Sequence, residues 1–237
     1  MRDTNRVTIV IGHYGTGKSE CSVGLSLWMR ARRPALPITL IDLDVVNPYF
    51  RSREARALLA ECDIAVIGNS LDIDIGVDVP AIPGTIPPAL HDQDRHVIID
   101  LGGDAAGSRA LRQFRPHIPT EDTEVLYVVN PFRTENRNAE STLLSIRSIE
   151  EEVGLRCTGL VNNGHLLHET VCDHIVHGND VCRRVTELSR LPVVYVTMRR
   201  DLFESCRERI DALEGTAVPL VSALRQDWMN SGNSHTT

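Results

Sequence analysis

The sequence predicts an α/β fold, a doubly wound and mainly parallel sheet of seven strands with helices on both faces. Seven short runs of apolar, β-prone residues recur along the 237-residue chain, and helical segments lie between them. Strands that are apolar on both faces and joined by helices are typical of a covered parallel sheet. The predicted strands are residues 7–11, 38–41, 64–67, 97–99, 125–129, 160–161 and 193–196. The predicted helices are residues 18–32, 51–60, 108–114, 134–153, 169–189 and 200–213.

The length fits one domain over residues 1–229, followed by a polar tail at 230–237 that we expect to be flexible. A net charge of −7 and an aromatic content of 4% argue against a nucleic-acid partner. The polar N-terminus and the lack of a long apolar run predict a cytoplasmic protein that does not bind membranes. Six scattered cysteines without a C-x-x-C pair predict reduced thiols.

The first strand runs directly into residues 12–19, G-H-Y-G-T-G-K-S, which match the phosphate-binding pattern G-x-x-x-x-G-K-[ST]. Its glycines let the backbone turn with N–H groups pointing inward, and the helix that follows adds its positive end. Lys18 would reach the β- and γ-phosphates, and the Ser19 hydroxyl would bind Mg²⁺. The predicted nucleotide contacts in this loop are Gly12, His13, Tyr14, Gly15, Thr16, Gly17, Lys18, Ser19 and Glu20.

Because ligands of such sheets lie at the carboxyl ends of the strands, each strand end is informative. The second strand ends in Asp42-Leu43-Asp44, and the fourth ends in Asp100 followed by Gly102 and Gly103. Four apolar residues and then Asp form the Walker-B pattern, which delivers a carboxylate to Mg²⁺. Asp44 either orients water near Mg²⁺ or caps a turn before Asn47-Pro48. We predict Mg²⁺ binding by Ser19, Asp42, Asp44 and Asp100, and catalytic roles for Lys18, Asp44 and Asp100.

The sixth strand ends in Asn162 and Asn163, at the edge where the base of a nucleotide would lie. A side-chain amide can pair with the adenine edge, whereas no N-K-x-D signature for guanine is present and His165 stands two residues past Asn163. We therefore predict ATP over GTP. Alternatively, these asparagines are turn residues before Gly164.

The segments GHYGTGKS, LIDLDVVNPYFRSRE, VIIDLGGDAAG and GLVNNGHL together resemble the MinD/ParA/CobQ class of P-loop ATPases, within the SIMIBI division. The resemblance covers residues 7–197 and is strongest to bacterial proteins with a CobQ/CobB/MinD/ParA nucleotide-binding domain. It implies ATP and Mg²⁺ as cofactors, a homodimer that forms at least transiently, and the strand order 3-2-4-1-5-6-7. His13 departs from the family's signature lysine, and Tyr14 replaces a glycine. Arg51 or Arg53 could supply the missing cation.

Three functions fit these residues. The first is a Mg-ATP hydrolase that acts as a nucleotide-dependent switch on an unknown protein partner. The second is a small-molecule kinase or ligase-like enzyme, with Asp44 as general base. The third is a nucleotide-binding scaffold without turnover. Separately, the histidines and cysteines of residues 165–182 are either a metal site or exposed helix residues.

Overall fold

In the residues that the structure describes, eight parallel strands form a single sheet and, numbered along the chain, lie in the order 3-2-4-1-5-6-7-8. The computed structural model describes residues 5–43, 48–68, 84–103 and 105–220, with the backbone alone at 48–54, 105–107 and 110. The predicted order of the first seven strands is therefore confirmed, including the placement of the Asp100 strand beside the first strand. Asp44 and the tail at 230–237 lie outside the described residues.

The strands alternate with helices along most of the chain. The strands are β1 Val7–Ile11, β2 Ile38–Leu43, β3 Ile64–Gly68, β4 His96–Leu101, β5 Thr123–Val129, β6 Gly159–Asn162, β7 Val193–Arg199 and β8 Thr216–Leu220. The helices are α1 Lys18–Arg32, α2 Pro48–Glu61, α3 Ile86–His91, α4 Ala105–Phe114, α5 Ala139–Val153, α6 Cys172–Ser189, α7 Arg200–Ser205 and α8 Arg207–Ile210. Within the described ranges, no helix has the length and apolar character needed to cross a membrane.

The prediction of seven strands was one short, because β8 carries Pro219. Proline cannot donate a ladder hydrogen bond, so it lowers the expectation of a strand in sequence. Among the described strands, β8 lies at the edge of the sheet and pairs with β7 alone. At an edge the missing N–H is tolerated, which explains why this segment still joins the sheet.

The helix α5 begins later than the sequence predicts, because a local capping motif sets its first residue. The predicted helix at 134–153 is divided, with a short 3₁₀ turn at Thr134–Asn136 before α5 begins at Ala139. The Asn138 side chain accepts a 2.8 Å hydrogen bond from the Ser141 N–H, and Ser141 Oγ accepts one from the Asn138 N–H. This capping box satisfies donors that would otherwise be unpaired in the first turn of α5.

The core consists of two apolar layers, one on each face of the sheet. In β1, Ile9 and Ile11 belong to the layer that includes residues of α4, α5 and α6, whereas Val10 belongs to the layer with α1 and α2. Side chains alternate between faces along a strand, so a run that is apolar at every position serves both layers. This arrangement leaves the carboxyl edge of the sheet for the polar loops.

The fold corrects the expectation that all cysteines are reduced, since Cys172 and Cys206 form a disulfide. Their Cα atoms lie 5.8 Å apart although 34 positions separate them in sequence. The bridge joins the first residue of α6 to the residue between α7 and α8. Spacing alone could not predict it, because the helices bring the two residues together.

The amino edge of the sheet contains a histidine that should make stability pH-dependent. His96 is 6% exposed, and its Nε2 lies 3.2 Å from Thr8 Oγ1. Burial lowers the pKa of His96 from 6.5 to about 4, and the nearby charge of Arg33 acts in the same direction. Protonation therefore favours the unfolded chain, so stability is complete above pH 6.5 and falls as the pH drops towards 4.

We expect the free energy of unfolding to fall by about 2 kcal/mol more in the wild-type protein than in His96→Gln between pH 7.5 and pH 5. Urea unfolding of both proteins at the two pH values measures this difference. Glutamine cannot titrate but can still hydrogen-bond to Thr8, so it is the matched control. Parallel losses in the two proteins would contradict the assignment to His96.

Candidate functional site

The turn between β1 and α1 forms a glycine-containing loop at the carboxyl edge of the sheet. Gly15 and Gly17 have φ angles of 78° and 87°, a region that residues with side chains rarely adopt. Gly17 is the N-cap of α1, so the helix begins at Lys18 and its positive end points into the loop. The loop therefore has the shape that its sequence predicts for an anion site.

The carbonyl of His13 gathers three donors inside this loop. It accepts hydrogen bonds from Lys18 Nζ at 3.1 Å, Thr16 Oγ1 at 2.9 Å and the Thr16 N–H at 3.3 Å. Lys18 is 7% exposed, and it is the single lysine among the 25 lysines and arginines of the chain. A compact ammonium charge is thus held at the centre of the loop.

The other predicted loop residues surround this centre. Ser19 and Glu20 lie half-buried in the first turn of α1. Tyr14 is 66% exposed at the mouth of the loop. His13 Nδ1 lies 3.5 Å from a carboxylate oxygen of Glu135, in the segment after β5. The His13 imidazole therefore lies beside a carboxylate of the protein, at the position where MinD/ParA/CobQ ATPases have their signature lysine.

The end of β4 approaches the loop closely at Gly103. A methyl group added there would lie 2.8 Å from Lys18 Nζ, 2.9 Å from the backbone nitrogen of Tyr14 and 3.1 Å from the carbonyl oxygen of Gly12. Only a residue without a side chain fits between these atoms. The segment that carries Asp100 is therefore in contact with the phosphate loop itself.

Asp42 and Asp100 point to the same face of the sheet, since they are register partners on the neighbouring strands β2 and β4. Asp100 is 5% exposed, and one of its carboxylate oxygens accepts a 3.2 Å hydrogen bond from Ser22 Oγ of α1. The face is the one that α1 covers, so both carboxylates lie on the side of the sheet where Ser19 begins that helix.

This donor set fits Mg²⁺, which prefers oxygen and uses one or two carboxylates together with substrate phosphates. Groups of three or more His, Cys, Asp or Glu side chains suited to a metal are absent among the described residues. Two carboxylates and a serine hydroxyl could nevertheless hold a magnesium ion that is also bound by the phosphates of a nucleotide. Asp44, the fourth predicted ligand, lies beyond the described part of the chain.

The amides of Asn162 and Asn163 are engaged by protein groups. Asn162 is fully buried, donates to the carbonyl of Ile175 at 2.9 Å and accepts from the Gly164 N–H at 3.1 Å. Asn163 donates to the carbonyl of Thr16 at 2.7 Å and accepts from Thr197 Oγ1 at 2.8 Å. Asn162 therefore supports a turn and Asn163 ties the phosphate loop to β6, so this arrangement does not support the expected base-reading role.

One contact to the loop was not anticipated. Arg133 Nε donates a 2.9 Å hydrogen bond to the carbonyl of Gly15. Arg133 follows β5, and reading the end of that central strand with the same rule as the others would have drawn attention to it.

The histidines and cysteines of residues 165–182 do not come together as a ligand set. Cys172 is in the disulfide and Cys182 is buried in the core, where burial raises the pKa of its thiol. His174 and His177 pack against the ring of Phe132, with ring centroids 5.0 Å and 5.7 Å apart. These contacts give the two histidines a packing role.

Solved structures share this fold. The cell division protein FtsY from Thermotoga maritima is 18% identical over 84% of this chain and 63% of its own, with a TM-score of 0.54. The signal recognition particle receptor FtsY from Elizabethkingia anophelis, solved in complex with GDP, is 17% identical over 83% of this chain and 58% of its own, with a TM-score of 0.52. This chain spans about three-fifths of their length.

This chain therefore shares the fold of these FtsY structures, and that likeness supports the resemblance to the SIMIBI division noted in the sequence. No protein-family model matches the sequence, and no curated protein matches it either. At sequence identities of 17% and 18%, the similarity to the FtsY structures shows a shared fold alone.

Proposed function

We propose that this protein is a Mg²⁺-dependent P-loop nucleoside triphosphatase that acts as a nucleotide-dependent switch. The observation that carries the proposal is the contact between Gly103 and the phosphate loop, with Lys18 Nζ between them. A γ-phosphate bound at Lys18 would meet the backbone that follows Asp100. Its presence or loss would then move that segment, as nucleotide switches require.

The residues have distinct roles in this proposal. The N–H groups of the loop and the ammonium of Lys18 hold the phosphates. Ser19, Asp42 and Asp100 would hold Mg²⁺, and the Ser22 hydroxyl, whose Oγ lies 2.9 Å from the Lys18 carbonyl and 3.2 Å from the Asp100 carboxylate, links α1 to that carboxylate. The metal ion would neutralise charge that develops on the phosphates. Asp44 remains the proposed residue for orienting the attacking water.

The proposed nucleotide is ATP. Selection of guanine usually requires a fixed carboxylate beside the base, and the segment of residues 163–168 after β6 has none. The FtsY structure with bound GDP provides the competing alternative. The homodimer and the protein partner are likewise proposals, supported by the resemblance to MinD/ParA/CobQ ATPases.

We expect γ-labelled ATP to release labelled phosphate in the presence of Mg²⁺ without any added acceptor. Unlabelled ATP should suppress the release at concentrations roughly 5- to 150-fold lower than GTP does, if one buried hydrogen-bonded edge selects the base. Equal suppression by GTP would contradict the choice of ATP. Release only with an added acceptor would indicate a kinase, and tight binding without release would indicate a scaffold.

A further inference from the structure

Arg133 touches the phosphate loop from its outer side. Its Nε donates a 2.9 Å hydrogen bond to the carbonyl of Gly15, and a methyl group added at Gly15 would lie 3.3 Å from Nε and 3.6 Å from Cζ. The guanidinium group therefore lies against the loop backbone. Arg133 is half-buried, so this hydrogen bond is partly shielded from water.

The hydrogen bond fixes the direction of a peptide group. In a trans peptide the C=O and N–H bonds point in opposite directions, so holding the Gly15 carbonyl outward turns the Thr16 N–H inward. The inward direction is observed, since this N–H points across the loop at the carbonyl of His13, 3.3 Å away. A phosphate bound on that side would replace the His13 carbonyl as the acceptor of a donor that is already turned inward.

Arg133 is itself held in place by a short turn after β5. Its N–H donates to the carbonyl of Asn130 at 3.0 Å, and its carbonyl accepts from the Asn136 N–H at 2.9 Å. The Asn130 side chain accepts from the Phe132 N–H at 3.2 Å and donates to the carbonyl of His165 at 3.2 Å. The turn is thus fastened to the loop after β6, and Arg133 has a rigid base from which to act.

The next carbonyl of the phosphate loop is held in the same way from a different strand. Asn163, the residue after β6, donates to the carbonyl of Thr16 at 2.7 Å. Two successive peptide groups are therefore oriented from outside, one by a side chain that follows β6 and one by a side chain that follows β5. Removal of Arg133 leaves the tie of Asn163 intact, so we expect the loop to lose order without loss of the fold.

We propose that Arg133 is a positioning residue for nucleotide binding, which holds the Gly15–Thr16 peptide with its N–H directed at the phosphates. This inference rests on the proposed function, because it assigns phosphate groups to the loop. A positioning role has a distinct signature. It affects nucleoside di- and triphosphates alike, whereas an arginine that touches only the γ-phosphate affects the triphosphate and its turnover.

The test compares Arg133→Met with Arg133→Lys and with Arg137→Ala. Methionine keeps an unbranched stem but removes the donor and the charge, whereas lysine keeps the charge and has a donor one bond further along the side chain. Arg137 is an exposed arginine four residues away, so its replacement is a matched loss of charge. We expect Arg133→Met to raise the Kd values of Mg-ATP and of ADP by similar factors of about 10 to 100, the range for a hydrogen bond from a charged group. Arg133→Lys should recover part of the affinity, and Arg137→Ala should bind like the wild type.

A second measurement does not depend on nucleotide. Lys18 is the single lysine of the chain, so mass spectrometry of its peptide reports how fast an acylating reagent reaches it. We expect faster acylation of Lys18 in Arg133→Met than in Arg137→Ala, with thermal unfolding temperatures that stay close to each other. Unchanged acylation and unchanged Kd values would overturn the positioning role. A loss confined to turnover would overturn it in favour of direct contact between Arg133 and the γ-phosphate. A wild-type chain that binds no nucleotide would overturn the proposed function, but the acylation rate of Lys18 would still test whether Arg133 orders the loop.

Discussion

Replacement of Lys18 by alanine is expected to raise the Kd for Mg-ATP by at least about 30-fold. Removing one partner of a buried, hydrogen-bonded charge pair costs roughly 2–5 kcal/mol, which corresponds to that factor or more. Lys18 is 7% exposed, and its ammonium group lies inside the loop against the carbonyl of His13. The side chain is thus placed to meet phosphate oxygens.

Isothermal titration of Lys18→Ala against the wild type measures this effect, with Arg147→Ala as the matched control. Arg147 is an exposed residue on α5, and its loss removes one positive charge away from the phosphate loop. The control should bind like the wild type, and all three proteins should unfold at similar temperatures without nucleotide. A Lys18→Ala protein with wild-type affinity would show that the loop does not hold the phosphates through this residue.

Features that depend on neighbouring residues could be predicted from the sequence. The bounds of β1 and α1 are as predicted, Val7–Ile11 and Lys18–Arg32, because the apolar run, the glycines and the helix start are all local signals. The pairing of β1 with β4 follows from the resemblance and is confirmed. β8 could not be predicted in this way, because a strand tolerates a proline such as Pro219 only where it lies at the edge of the sheet.

Features that depend on the fold could not be predicted in this way. Arg133 reaches Gly15 across 118 positions, and Asn163 reaches Thr16 across 147. In both cases the side chain binds backbone, which leaves no residue-type signal at the other end of the contact. The sequence identifies the Asn163 amide as a hydrogen-bonding group, but it does not identify the partner. That partner, a carbonyl of the phosphate loop, becomes evident only when β6 and β7 pack beside the loop.

Introduction of a methyl group at Gly103 is expected to lower kcat/KM for ATP by about 100-fold, the cost of displacing a reacting group by roughly 1 Å. The new Cβ would lie 2.9 Å from the backbone nitrogen of Tyr14 and 3.1 Å from the carbonyl oxygen of Gly12. Lys18 could move its flexible end, but the two backbone atoms can yield only if the loop or the end of β4 moves. Either movement separates Asp100 from the bound phosphates.

Gly84→Ala is the matched control for Gly103→Ala, because a methyl group at Gly84 would meet no atom of the described residues within 4 Å. Both variants add the same group to a glycine, so a general effect of alanine on the unfolded chain is common to them. Steady-state kinetics should show the loss in Gly103→Ala alone, while its thermal unfolding temperature stays within a few degrees of that of Gly84→Ala. Since the added methyl group opposes the approach of β4 to the loop, the loss should be larger in kcat/KM than in the affinity for ADP. Wild-type turnover in Gly103→Ala would mean that the contact between β4 and the phosphate loop has no part in the reaction.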